Sequence, residues 1–121
     1  MTETRIYIGL NDSVTKKQVF ETSTYISILK KVCFAYRTPF SFSVEEGGYI
    51  HENGEYTNET SLVLVLIGVE QETANEIAKD LCAFFNQESV LITENSIRAY
   101  FVHEALDSAE NLRVLRHDDR L

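Results

Sequence analysis

The sequence is short of the residues that give many small proteins their chemistry. It has no tryptophan, one proline, one methionine, two cysteines and five glycines in 121 residues. Two cysteines without a Cys-x-x-Cys spacing exclude a disulfide framework and a thiolate zinc site. Cys33 and Cys82 fall on or beside apolar helical stripes and read as small core residues rather than nucleophiles. Basic residues are in deficit: 11 Lys and Arg against 19 Asp and Glu leave a net charge of −8. That excludes a broad footprint for phosphate and with it general binding of duplex nucleic acid. No apolar run approaches the roughly 20 residues of a membrane span. The first residues, Met-Thr-Glu-Thr-Arg, lack the charged-then-apolar pattern of a leader. Also missing are Gly-x-Ser-x-Gly, His-x-x-x-His and a glycine-rich phosphate loop before a helix. The expectation is a reduced, cytoplasmic chain with no catalytic residues, no metal, no cofactor and no membrane contact.

What is present is the balance of one ordinary globular domain, 44% hydrophobic and 25% charged. Ile6 to Leu10 is β-branched and aromatic and stops at the turn residues Asn11, Asp12 and Ser13, which predicts a strand. Tyr25, Leu29, Val32, Cys33 and Tyr36 share one helical face and predict a helix from about Ser23 to Tyr36. Thr38-Pro39 disfavours its continuation. Phe40, Phe42 and Val44 alternate with Ser41 and Ser43 as in a strand with one dry face. Asn53-Gly54 is the preferred pair for a tight hairpin. With these two as the loop, Phe42 pairs with Val65 and Val44 with Val63, unless Gly47-Gly48 forms a bulge that shifts the count by one. Ala74, Ile77, Ala78, Leu81, Phe84 and Phe85 form the strongest helical stripe, after Glu70, with Asn86 as its stop. Two short strands, Val90 to Thr93 and Ile97 to Val102, follow.

The order β-α-β-β-α-β-β predicts an α+β fold of ferredoxin-like kind: an antiparallel sheet with two helices on one face. Residues 1–102 form the expected single domain and 103–121 an expected C-terminal arm. In the hairpin register above, Val63, Val65 and Ile67 face the helices and Leu62, Leu64 and Leu66 face away. Three leucines left wet forgo roughly 1.5–3 kcal/mol each, so that face is expected to be covered by a second copy, by the arm, or by both.

The expected site binds rather than reacts. Arg98 is placed on the last strand, where a charge needs solvent or a partner. Arg113 and Arg116 lie in the arm, Tyr49 and Tyr100 on strands, and His51 near the hairpin tip. Asn86 and Gln87 add amide donors and acceptors after the second helix. Arginine forks hold phosphate oxygens and aromatic faces stack on bases, so this set suits a small nucleotide-like ligand.

Three stretches carry a likeness: Ile6-Tyr7-Ile8-Gly9-Leu10-Asn11-Asp12; Gly47-Gly48-Tyr49-Ile50 followed by Glu59-Thr60-Ser61-Leu62-Val63; and Phe85-Asn86-Gln87-Glu88-Ser89-Val90-Leu91. Over roughly residues 6 to 102 the chain resembles small phage and prophage proteins, and also an uncharacterised bacterial lipoprotein family, whose leader has no counterpart here. Among phage proteins of this size and acidity it is similar to the Thoeris anti-defence sponges. Those bind a cyclic ADP-ribose signal without cleaving it and assemble as oligomers. The resemblance implies a non-enzymatic homo-oligomer that sequesters a nucleotide-derived signal in the bacterial host cytoplasm and so blocks immune signalling. No binding residue is carried over from that group. The alternatives are a protein–protein inhibitor docking through the open sheet face and a small ferredoxin-like enzyme.

Overall fold

The computed structural model describes residues 1–50 and 52–104. Its elements are β1 (Thr2–Gly9), α1 (Thr22–Ala35), β2 (Ser41–Ile50), β3 (Tyr56–Ile67), α2 (Gln71–Phe84) and β4 (Leu91–Ser96). The strands form one antiparallel sheet in the order β2-β3-β1-β4. This is the ferredoxin-like arrangement expected, with the central strands β3 and β1 also the most buried. Each of these elements lies between Thr2 and Ser96, inside the stretch expected to form the domain. Most of the expected arm, including Arg113 and Arg116, lies outside the described residues, as does His51.

Both helices lie on one face. Each ends in a residue with left-handed backbone, Arg37 (φ 53°) after α1 and Asn86 (φ 50°) after α2. In both, two amides turn back to the last helical carbonyls: Arg37 N–H to Phe34 O and Thr38 N–H to Cys33 O, then Asn86 N–H to Ala83 O and Gln87 N–H to Cys82 O. Tyr36 Oη donates to Asp80 Oδ2 at 2.7 Å and ties α1 to α2. Accepting that bond makes the carboxylate a reason for the phenol to keep its proton, and Tyr36 is pushed up to about 12. Cys33 is fully buried, and loss of solvent raises its thiol to about 11, as suits an inert core residue.

The hairpin register differs from the expected one by a single residue. Phe42 pairs with Leu64 and Val44 with Leu62, and the ladder runs without interruption through Gly47 and Gly48 to Ile50–Tyr56. The closing pair thus lies outside the Glu52–Glu55 pair that a two-residue Asn53-Gly54 loop requires. Gly54 still takes the turn conformation (φ +85°), and Glu55 N–H bonds to Asn53 Oδ1.

A one-residue slip exchanges the two faces of a strand. Leu62, Leu64 and Leu66 therefore face the helices, each 0% exposed, beside Ile6, Ile8, Leu29, Ile77 and Leu81. The expected outward leucine face, and a homo-oligomer built on it, are corrected here. The helices cover the leucines because these bury more apolar area than valines in the same strand. The open face instead carries Glu3, Arg5 and Tyr7 from β1, Val63, Val65 and Ile67 from β3, and Leu91 and Thr93 from β4.

Of the two expected last strands only the first forms, and it runs on to Ser96. β4 pairs with Thr2–Tyr7 straight through Glu94-Asn95-Ser96, the expected joint. Backbone pairing to an open edge accepts polar side chains where they stay exposed, so the turn-like composition did not break the strand. The expected strand Ile97 to Val102 is absent; only Ile97 N–H still bonds to Met1 O at 2.8 Å.

Candidate functional site

Among the described residues, two clefts lie at opposite ends of the sheet. One is an apolar hollow of about 410 Å³ lined by Met1, Pro39, Phe40, Val65, Ile67 and Tyr100, among others. Arg98 and Tyr100 belong to this end. They lie beyond β4 rather than on a strand, with the Arg98 guanidinium 5.5 Å from the Tyr100 ring centre.

The second cleft, about 240 Å³, lies where β1 ends. Strand order brings the last residues of β1 and β2, the first of β3 and the segment before β4 to this one end. The lining includes Asn11, Asp12, Tyr49, Glu59, Gln87 and Ser89. Two sequence-predicted residues, Tyr49 and Gln87, therefore meet here, and Asn86 stands directly beside them. Arg98 and Tyr100 do not join them.

The walls of this cleft are tied together. Gln87 Nε2 donates to Asn11 O at 2.7 Å, Asn86 Nδ2 to Asp12 Oδ2 at 2.7 Å, and Ser13 N–H to Asn86 O at 3.0 Å. Asp12 also receives the Val14 and Thr15 amides on Oδ1. The Asn86 amide first, then the Thr15 and Val14 N–H groups, hold its carboxyl below the usual carboxylate range. The turn after α2 thus fastens the loop after β1, and the segment from 11 to 18 closes on itself through the Asn11–Gln18 bridge.

The residue that sequence reading missed is Glu59. It is half-buried on β3 opposite Gly47, on the open face of the sheet. Its Oε2 accepts the Asn11 backbone N–H at 3.0 Å. A single acid among 19 carries no sequence signal. The available clue was Gly9, a glycine inside an apolar strand, which often marks a close approach. The lining holds three carboxylates, Asp12, Glu59 and Glu88, against one cation, Lys16. Such a site attracts cations and repels phosphates.

No protein-family model matches the chain, and no curated protein matches it significantly. Solved structures do. A phage SAM lyase in complex with S-methyl-5'-thioadenosine aligns with TM-score 0.61 and 23% identity, covering 78% of this chain and 79% of that one. A phage SAM lyase in the apo state aligns with TM-score 0.60 and 22% identity, over 84% and 92%. CutA, a periplasmic divalent cation tolerance protein of Archaeoglobus fulgidus, aligns with TM-score 0.54 and 12% identity, over 82% and 87%. What is shared at these identities is the fold. The phage resemblance is met at that level, in lyases rather than Thoeris sponges. The expectation of a protein that is not an enzyme is overturned by the same finding, because this architecture carries an enzyme.

Proposed function

We propose that the chain is a phage-encoded enzyme of the lyase kind, which binds S-adenosylmethionine in the Glu59 cleft and breaks a carbon–sulfur bond to release methylthioadenosine. The observation that supports this reading is the Glu59 carboxylate, held by the Asn11 N–H in an acidic cleft of a lyase-bearing fold.

The substrate's sulfonium is a cation, and a carboxylate about 4 Å away is worth about 1 kcal/mol in water and about 4 kcal/mol at a protein surface. Tyr49 offers a ring and Gln87 an amide to the adenosine half. A cyclic ADP-ribose, the ligand first expected, brings a pyrophosphate that this lining repels, with no arginine fork among the described lining residues. When the carbon–sulfur bond breaks, its electron pair goes to sulfur and the nucleoside leaves as a neutral thioether. A lyase adds no water. The carbon therefore completes its bonding within the substrate, either by ring closure through the substrate's own carboxylate or by loss of a neighbouring proton. Ring closure needs only orientation; proton loss makes Glu59 the base. In either course positive charge disappears at sulfur, so the Glu59 attraction holds substrate more strongly than product.

The homo-oligomer expected from the sequence is retained on different residues. Ile67, Leu91, Tyr100 and Phe101 are 50%, 61%, 73% and 88% exposed, an apolar set that a second copy can cover. The reading places the protein in the host bacterial cytoplasm, where its substrate is made; among the described residues no helix is long and apolar enough to cross a membrane.

Incubation of the purified chain with S-adenosylmethionine, followed by chromatography, tests the proposal. Methylthioadenosine accumulates with the wild type. In Glu59→Gln, KM rises roughly tenfold, the loss of about 1.4 kcal/mol of attraction, and kcat falls as well if Glu59 is the base. Intact substrate after prolonged incubation with the folded protein overturns the reading.

A further inference from the structure

Two glycines flank Glu59 on the sheet. Gly47 stands opposite it on β2, and Gly9 lies on β1 one step along from it, opposite Ser61. Neither has left-handed backbone, which among the described glycines is confined to Gly54 and Gly68. Conformation therefore does not call for glycine at either position, and glycine weakens a strand interior. Space separates the two. A Cβ at Gly47 meets only the Glu59 backbone oxygen, at 4.0 Å, an ordinary contact. A Cβ at Gly9 falls 2.6 Å from Glu59 Cδ and Oε2 and 2.7 Å from Oε1. All three atoms belong to the carboxylate, which lies flat on the bare backbone of β1. From there Oε2 reaches the Asn11 N–H, two residues further on.

We propose that Gly9 is a positioning residue for the cleft: its missing side chain is the seat of the Glu59 carboxylate. A methyl group at position 9 evicts the carboxylate, breaks its bond to Asn11 and turns it into the volume the ligand occupies. The obstructed atoms are the far end of a flexible side chain, so Glu59 rotates away and the sheet is preserved. The consequence for ligand binding rests on the function proposed above; the seating of Glu59 does not.

The test uses the full chain as wild type, Gly9→Ala, Gly47→Ala and Glu59→Gln. KM and kcat for S-adenosylmethionine are measured together with the Asn11 amide proton shift at neutral pH. In the wild type the bond to the Glu59 carboxylate moves this shift downfield; Glu59→Gln takes the charge away and moves it upfield. Gly9→Ala is expected to show the same upfield change and to raise KM about tenfold or more, with Tm within about 5 °C of wild type. Gly47→Ala matches wild type in both readouts. Retention of the wild-type KM and of the wild-type Asn11 shift in Gly9→Ala overturns the proposal. So does an Asn11 amide shift that is the same in wild type and Glu59→Gln, whether or not Gly9→Ala folds. If wild type leaves S-adenosylmethionine intact while the Asn11 shift moves upfield in both Glu59→Gln and Gly9→Ala, the lyase reading fails and the seating of Glu59 stands.

Discussion

Leu64 and Val63 are adjacent, equally apolar and both buried, yet only Leu64 belongs to the core beneath the helices. Leu64 pairs with Ile6 on one side and Phe42 on the other, so side chains from both neighbouring strands flank its own. Leu64→Ala therefore removes a packed methyl-bearing group and leaves a cavity. The expected loss is about 2–5 kcal/mol, read from the urea midpoint. Truncating Val44, 46% exposed on the same face near the edge, is expected to cost far less. A cost for Leu64→Ala as small as that for Val44→Ala would contradict the observed register. At the same scale, Glu59 shows why an isolated acid is silent in a sequence. Its meaning comes from Gly9 and Asn11, 50 and 48 positions away in the chain.

Between elements, the fastening of the loop after β1 to the turn after α2 is the joint on which the cleft depends. Its charged member is Asp12, whose folded-state carboxyl sits below the usual value of 3.8. A depressed carboxyl contributes stability that is complete above the unfolded value and is lost as pH falls through the folded one. The bonds from Asn86, Val14 and Thr15 are thus present at neutral pH and are expected to open only below about pH 3.8. Hydrogen exchange at the Val14 and Thr15 amides checks this: protection is retained to that point and lost below it, and Asp12→Ala lacks it at neutral pH. The helices themselves were legible in the sequence, because a stripe such as Ala74, Ile77, Ala78 and Leu81 has one explanation. The hairpin was legible in its partners and wrong in its count. Asn53-Gly54 marks a turn but does not state how many residues the turn contains.

At the scale of the molecule, charge and shape act together. The chain carries a net charge of −8 and gathers Asp12, Glu59 and Glu88 at one cleft. A cationic substrate is drawn to such a surface, and salt screens the attraction over a length of roughly 10 Å at 0.1 M. On the proposed lyase reading, raising the salt from about 0.05 M to about 0.5 M is expected to raise KM severalfold for S-adenosylmethionine, with kcat little changed. A KM independent of salt would contradict an electrostatic role for the acidic lining. The apolar hollow at the far end, between Phe40, Ile67 and Tyr100, carries no such charge. The sheet keeps the two ends apart: β1 and β2 begin at the apolar hollow and end at the acidic cleft, and β3 runs the other way.

The order of elements and the two helical stripes are properties of neighbouring residues, so the sequence alone determined the ferredoxin-like fold. Period and turn chemistry act over a few positions, and they suffice for that. Which face of β3 meets the helices was decided only in three dimensions. There the burial of leucine over valine outweighed the short-loop preference of Asn53-Gly54. The Glu59 seat on Gly9 was also beyond local reading. A contact between distant strands exists only once register and strand order have brought them together.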